Sequence, residues 1–121
     1  MIADLELDEL RLDVEEDADG VRIRWRGVSD MRNPAKQLRP FLTGVLEALD
    51  GREVTLDFRE CRYMNSASLA PIIRFMKELD DRGARGVLRF DESWEWQRLT
   101  ARSLGAFARR LSGVQVRTGG T

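Results

Sequence analysis

Apolar and charged residues alternate strictly near the start of the chain. Leu10, Leu12 and Val14 are interleaved with Arg11, Asp13 and Glu15, and after Asp19-Gly20 the set Val21, Ile23 and Trp25 is interleaved with Arg22, Arg24 and Arg26. A period of two on both sides of an Asp-Gly pair predicts a β-hairpin with one buried face and one charged, solvated face. Residues 27–33 read as a polar connection. Asn33-Pro34 then resembles a helix start, a capping residue followed by a proline at the first helical position. Leu38, Phe41, Leu42, Val45, Leu46 and Leu49 follow at helical spacing and stop at Asp50-Gly51. Pro40 either kinks this helix or marks its true beginning.

Residues 53–58, Glu-Val-Thr-Leu-Asp-Phe, predict a short central strand, followed by a loop with Cys61, Arg62 and Tyr63. Asn65-Ser66-Ala67-Ser68 is rich in N-capping residues and leads into the stripe Leu69, Ile72, Ile73, Met76 and Leu79. Pro71 fits the first turn if the cap is Ser68 and costs a hydrogen bond if it is Asn65, so the start of this helix is expected to be irregular. Gly83 and Gly86 bracket a turn before the strand Val87-Leu88-Arg89-Phe90. Ser93 can cap a last helix carrying Trp94, Trp96, Leu99, Leu104, Phe107 and Leu111, and Val114-Gln115-Val116 offers an edge strand. The order ββαβαβαβ predicts an α/β domain: a mixed sheet with right-handed crossovers and helices packed mainly on one face.

With 121 residues, 42% of them hydrophobic, the chain is the size of one domain, 1–121, with one core. Its net charge of −1 hides a division. Residues 1–19 hold nine acidic residues against Arg11 alone, and the rest carries 19 basic and 12 acidic residues. Residues 1–9 are therefore expected as an acidic arm ahead of a basic body. The arginines are scattered rather than run together, which argues against nucleic acid as a partner. No apolar run approaches the roughly 18 residues of a membrane span, and no signal-peptide pattern opens the chain, so a cytoplasmic location is expected. The sequence has no histidine and one cysteine, Cys61. That removes the commonest proton-transfer residue and the usual zinc ligand sets, so no metal, no cofactor and no catalysis are expected. Without a partner Cys or His, Cys61 reads as a buried thiol.

Two strands, then a strand ending in Leu56-Asp57-Phe58, a loop, and Met64-Asn65-Ser66-Ala67-Ser68-Leu69 opening an apolar helix resemble the STAS domain over about residues 10 to 117. In the anti-sigma factor antagonists of that family the corresponding segment is of the Asp-Ser-Ser-Gly-Leu type, and its first Ser is phosphorylated by a partner kinase. The resemblance puts Asn65 in the Asp place, Ser66 in that of the phosphorylated Ser, Ala67 in that of the second Ser, Ser68 in that of the Gly, and Leu69 in that of the Leu. It implies a non-catalytic regulatory module that binds a serine kinase/anti-sigma factor and a PP2C-type phosphatase. The expected contact surface is Arg62, Tyr63, Met64, Asn65, Ser66, Ala67, Ser68, Leu69 and Arg74. This chain departs from the pattern in lacking a carboxylate at Asn65 and a glycine at Ser68, and its segment 90–98 is unlike the antagonists.

The residues support a switch at Ser66 independently. A hydroxyl at a helix start lies beside free backbone N–H groups and the positive end of the helix dipole, and a phosphate there would add about −1.5 to −2 charges near Arg62 and Arg74. Against this stands the plainer reading that Asn65, Ser66 and Ser68 are ordinary caps worth about 1 kcal/mol each, in a constitutive adaptor of the same fold. Asp57, at the end of a central strand, also matches the phosphoacceptor of receiver domains. Glu15, Glu16 and Asp17 could imitate the acidic pair of a receiver, but Lys36 and Lys77 both fall on helices and the hairpin start breaks the βα alternation, so Asp57 is expected to cap a loop or face a partner. Trp94 and Trp96 lie about 200° apart around a helix, so one of them is expected to be partly exposed.

Overall fold

The computed structural model describes residues 2–119. Over these residues the chain forms β1 (Leu5–Leu7), β2 (Leu10–Glu16), β3 (Gly20–Ser29), α1 (Ala35–Ala48), β4 (Glu53–Asp57), β5 (Cys61–Met64), one 3₁₀ turn (Ser66–Ser68), α2 (Leu69–Asp81), β6 (Gly86–Arg89), α3 (Glu95–Ala108) and β7 (Val114–Arg117). The strands build one mixed sheet in the order β1-β2-β3-β4-β6-β7, with β5 paired to the far end of β3. β1 and β2 run antiparallel to their neighbours, whereas β3, β4, β6 and β7 are mutually parallel across helical crossovers.

The expected hairpin forms, with Leu12 opposite Trp25 and Val14 opposite Ile23, and Gly20 already belongs to β3. Its turn is held by Asp17, whose Oδ1 accepts the N–H groups of Asp19 and Gly20 at 2.8 and 2.9 Å; these bonds pull the Asp17 carboxyl below its usual range. The acidic arm anticipated at residues 1–9 is corrected in part. Leu5 and Leu7 pack half-buried on the core, and Leu5–Leu7 pairs with Leu10–Leu12 as β1, because the alternation that makes β2 a strand extends two apolar positions upstream.

All three helices lie on one face. Beneath them the strands contribute Leu10, Leu12, Ile23, Trp25, Leu56 and Leu88, and the helices Leu38, Val45, Ile72, Phe75, Met76 and Leu104. Trp25, Phe58 and Phe90 run across the sheet as an aromatic row, with centroids 5.0 and 4.9 Å apart. The opposite face carries no helix. There Arg24 pairs with Glu15 (2.7 Å), Arg26 with Asp13 (3.2 Å) and Glu60 (3.4 Å), and Arg22 with Asp57 (3.7 Å).

Helix ends follow the sequence with small differences. Pro40 lies inside α1 and does not begin it, and the αL residues Asp50 and Gly51 end the helix while the Arg52 side chain caps the carbonyls of Ala48 and Leu49. Pro71 is the third residue of α2, where its missing N–H has no helical partner to lose. Ser93 does not cap α3 with its side chain; its own N–H and hydroxyl are both bound by Asp91 Oδ1.

Candidate functional site

The segment 64–69 is positioned by a break in β3. Gly27 has φ +96°, and a Cβ on it would fall within bonding distance of the Glu9 carbonyl oxygen, so only glycine fits. Gly27 pairs with Cys61, and past it the register against β5 shifts by one, so that Val28 pairs with Tyr63 and Ser29 with Met64 while the Val28 N–H still bonds the Glu9 carbonyl. Residues 27–29 and 61–64, expected as connections, are therefore strand. An isolated glycine in an alternating run is the sequence signal for such a bulge.

The bulge delivers Ser29 to the start of α2. Ser29 accepts the Asn65 N–H on its carbonyl at 2.9 Å, and its hydroxyl lies 2.6 Å from the Ser68 hydroxyl. Asn65 is extended (φ −80°, ψ 166°) and caps the 3₁₀ turn. Its Oδ1 accepts the Ser68 N–H at 3.1 Å and the Ser68 hydroxyl at 2.7 Å, and its Nδ2 donates to the Met31 carbonyl at 2.9 Å. An amide oxygen cannot donate, so the Ser68 proton goes to Asn65 and Ser29 supplies the proton between the two hydroxyls. The same contacts fix the orientation of the Asn65 amide. Ser29 and Met31 were not singled out by sequence, because their role depends on the bulge bringing residues 29 and 68 together.

The expected surface is thus divided. Ser68 is fully buried and Met64 nearly so, and both serve as anchors instead of contact residues, a correction to their place in the expected contact surface. Asn65 is half-buried and its side-chain groups are all engaged. Ser66 and Ala67 are exposed, and the Ser66 hydroxyl has no partner among the described residues. Arg62 and Tyr63 flank it, Tyr63 with 49% of its surface open, while Leu69 is half-buried. Arg74, also exposed, is engaged by Glu78 one turn on at 3.3 Å.

Asp57 accepts hydrogen bonds from the loop that follows it. Its Oδ1 accepts the N–H and Nε of Arg59 at 3.1 and 2.9 Å, and its Oδ2 accepts Arg59 Nη2 at 2.8 Å. Burial raises the Asp57 carboxyl, but these bonds and the charges of Arg59 and Arg22 outweigh it, and the net shift is downward. The loop after Asp57 is fastened from the other side by Gln97, which is fully buried on α3. Its Nε2 donates to the carbonyls of Phe58 (2.8 Å) and Cys61 (3.0 Å), and its Oε1 accepts the Asp91 N–H at 2.7 Å. Gln97 carries no sequence signal, since a polar residue between Trp96 and Arg98, near the charged Glu95, reads as surface. Of the two tryptophans near it, Trp94 is exposed and Trp96 half-buried. Cys61 is buried, and burial pushes its thiol up to about 11. Among the described residues no three His, Cys, Asp or Glu side chains gather as a metal site, and no helix is long and apolar enough to cross a membrane.

No family model matches the chain, and no curated protein matches its sequence. Solved structures do. An anti-sigma factor antagonist from Mycobacterium paratuberculosis is 14% identical over 89% of this chain and 86% of its own, with a TM-score of 0.64. A chain in the complex of the diguanylate cyclase SiaD with its activator SiaC from Pseudomonas aeruginosa is 19% identical over 91% and 92%, with a TM-score of 0.64. The anti-sigma factor antagonist SpoIIAA in its unphosphorylated form is 19% identical over 90% and 89%, with a TM-score of 0.62. Near-complete coverage in both directions, together with the mixed sheet and its helices on one face, gives this chain the STAS-like fold of the anti-sigma factor antagonists.

Proposed function

We propose that this chain is a non-catalytic, cytoplasmic regulatory module that docks a protein partner through Arg62, Tyr63, Ser66, Ala67 and Leu69 and is switched by phosphorylation of Ser66. One observation carries this reading: between the two fixed anchors Asn65 and Ser68, the Ser66 hydroxyl alone is exposed and unengaged. A phosphate there would add about −1.5 to −2 charges beside Arg62 without displacing an existing bond. Partners of the kind that act on anti-sigma factor antagonists, a serine kinase/anti-sigma factor and a PP2C-type phosphatase, would write and erase that charge. The fold shared with two such antagonists, one of them solved unphosphorylated, supports the reading.

A constitutive adaptor is favoured by a different observation. Asn65 has no carboxylate, and its amide is spent on the cap and on Met31. Incubation with ATP and a serine kinase of the anti-sigma factor type separates the two. The switch predicts one added phosphate by intact mass, absent in Ser66→Ala, and partner binding weakened at least tenfold in Ser66→Asp. An unchanged mass, with a partner still bound through this surface, leaves the adaptor.

A further inference from the structure

A groove of about 720 Å³ runs between α3 and the outer edge of β7. Its floor is small and apolar: Ala101 and Gly105 from the helix, Val114 and Val116 from the strand. A Cβ on Gly105 would already lie 3.9 Å from Val116 Cβ, so the absent side chain keeps the channel open. Along the rim Arg98, Arg102 and Arg109 are exposed, and none forms an ion pair among the described residues; Glu92 is the one acid lining the groove. Among the described residues β7 pairs only with β6. Because the carbonyls of Gly113 and Arg117 point to β6, the intervening alternation turns the N–H and C=O groups of Val114 and Val116 outward.

We infer that this groove docks an acidic, extended segment of a protein partner, which joins the sheet as a strand beside β7. Three features converge on that occupant. The unpaired backbone of an edge strand is a template for another backbone. Arg98 and Arg102 are about 6 Å apart along the helix axis, close to the roughly 6.6 Å between same-face residues of a strand, so acids on that face would meet successive guanidinium groups. On the other face of the added strand Arg117 is exposed, with only Gln115 as its partner. A DNA backbone would satisfy the arginines but offers no donors to the outward carbonyls of Val114 and Val116. No residue of this groove belongs to the surface around Ser66, so the two interfaces stand independently.

Fluorescence anisotropy with a short labelled peptide of alternating Glu and Val tests the assignment. Binding is expected to weaken as salt rises and to drop at least tenfold in the double variant Arg102→Glu/Arg109→Glu, with its circular dichroism unchanged. Gly105→Leu fills the channel at constant charge and with a better helix former, and should weaken binding severalfold. N-methylation of alternate peptide residues should abolish binding in one phase and spare it in the other. The assignment is overturned by a peptide that does not bind, by equal affinity for the double variant, by insensitivity to both methylation phases, or by a duplex oligonucleotide binding more tightly than the peptide.

Discussion

The two faces of the sheet are made by the same strands, residue by alternate residue, and they are stabilised by opposite means. On the covered face Leu12, Ile23, Trp25, Leu56 and Phe58 are removed from water, and each such side chain contributes about 1.5–3 kcal/mol by burial. On the open face Asp13, Glu15, Arg24, Arg26 and Glu60 neutralise one another, and Arg22 pairs with Asp57, through ion pairs whose side chains are mostly part-exposed. Partly exposed pairs of this kind are typically worth at most about 1 kcal/mol. A fold can therefore rest almost wholly on one side of its sheet while the other side is free to vary in sequence so long as charge stays balanced.

The sharpest way to break this contrast is Trp25→Ala. It should cost about 3–5 kcal/mol in denaturant unfolding, since it removes the side chain that packs at a tilt against Phe58 and leaves a cavity. Trp25→Phe should recover much of that loss, because the Trp25 indole N–H is buried with no acceptor among the described residues and its removal deletes an unsatisfied donor. Gly27→Ala, at the point where the covered face turns toward the site, should cost at least about 2 kcal/mol through the positive φ and the clash with Glu9.

Asp57 joins the two faces, and Asp57→Asn should cost about 1–2 kcal/mol at neutral pH. The folded-state pKa of Asp57 is depressed, so its contribution is present above the unfolded value of about 3.9 and is lost as pH falls through the folded one. The wild type should accordingly lose stability relative to Asp57→Asn below about pH 4. Cys61 has the opposite sign: its raised pKa stabilises the fold below the unfolded value of about 8.5, and that contribution fades as pH rises towards about 11. Cys61→Ala should flatten the alkaline limb of the stability curve, and in the native wild type the thiol should resist alkylation at neutral pH. The smallest effect is expected at Arg24→Ala on the open face, within about 1 kcal/mol and diminishing with salt. A larger loss there than at Trp25 would reverse the comparison.

The covered face was legible in the sequence because burial imposes a period, and the hairpin, the three helices and the central strands all follow from it. β5 and the last residues of β3 were not legible. Residues 61–64 alternate too briefly to declare themselves, and their pairing depends on a bulge whose partner is more than thirty residues away. The candidate site was legible as a helix start at residues 64–69, but not in its internal division: nothing in Asn-Ser-Ala-Ser distinguishes the hydroxyl that faces Ser29 from the one that faces solvent. Gln97 escaped for the same reason, since its side-chain bonds are to backbone atoms that the sequence does not bring together.

The hydrogen-bonded triangle of Ser29, Asn65 and Ser68 ties the end of one strand to the beginning of one helix by bonds that do not involve Ser66. A rigid mount under a free hydroxyl separates form from message. A group attached at Ser66 can change what the surface attracts or repels while the frame beneath it stays still, so a partner would have to read it by charge and not by shape.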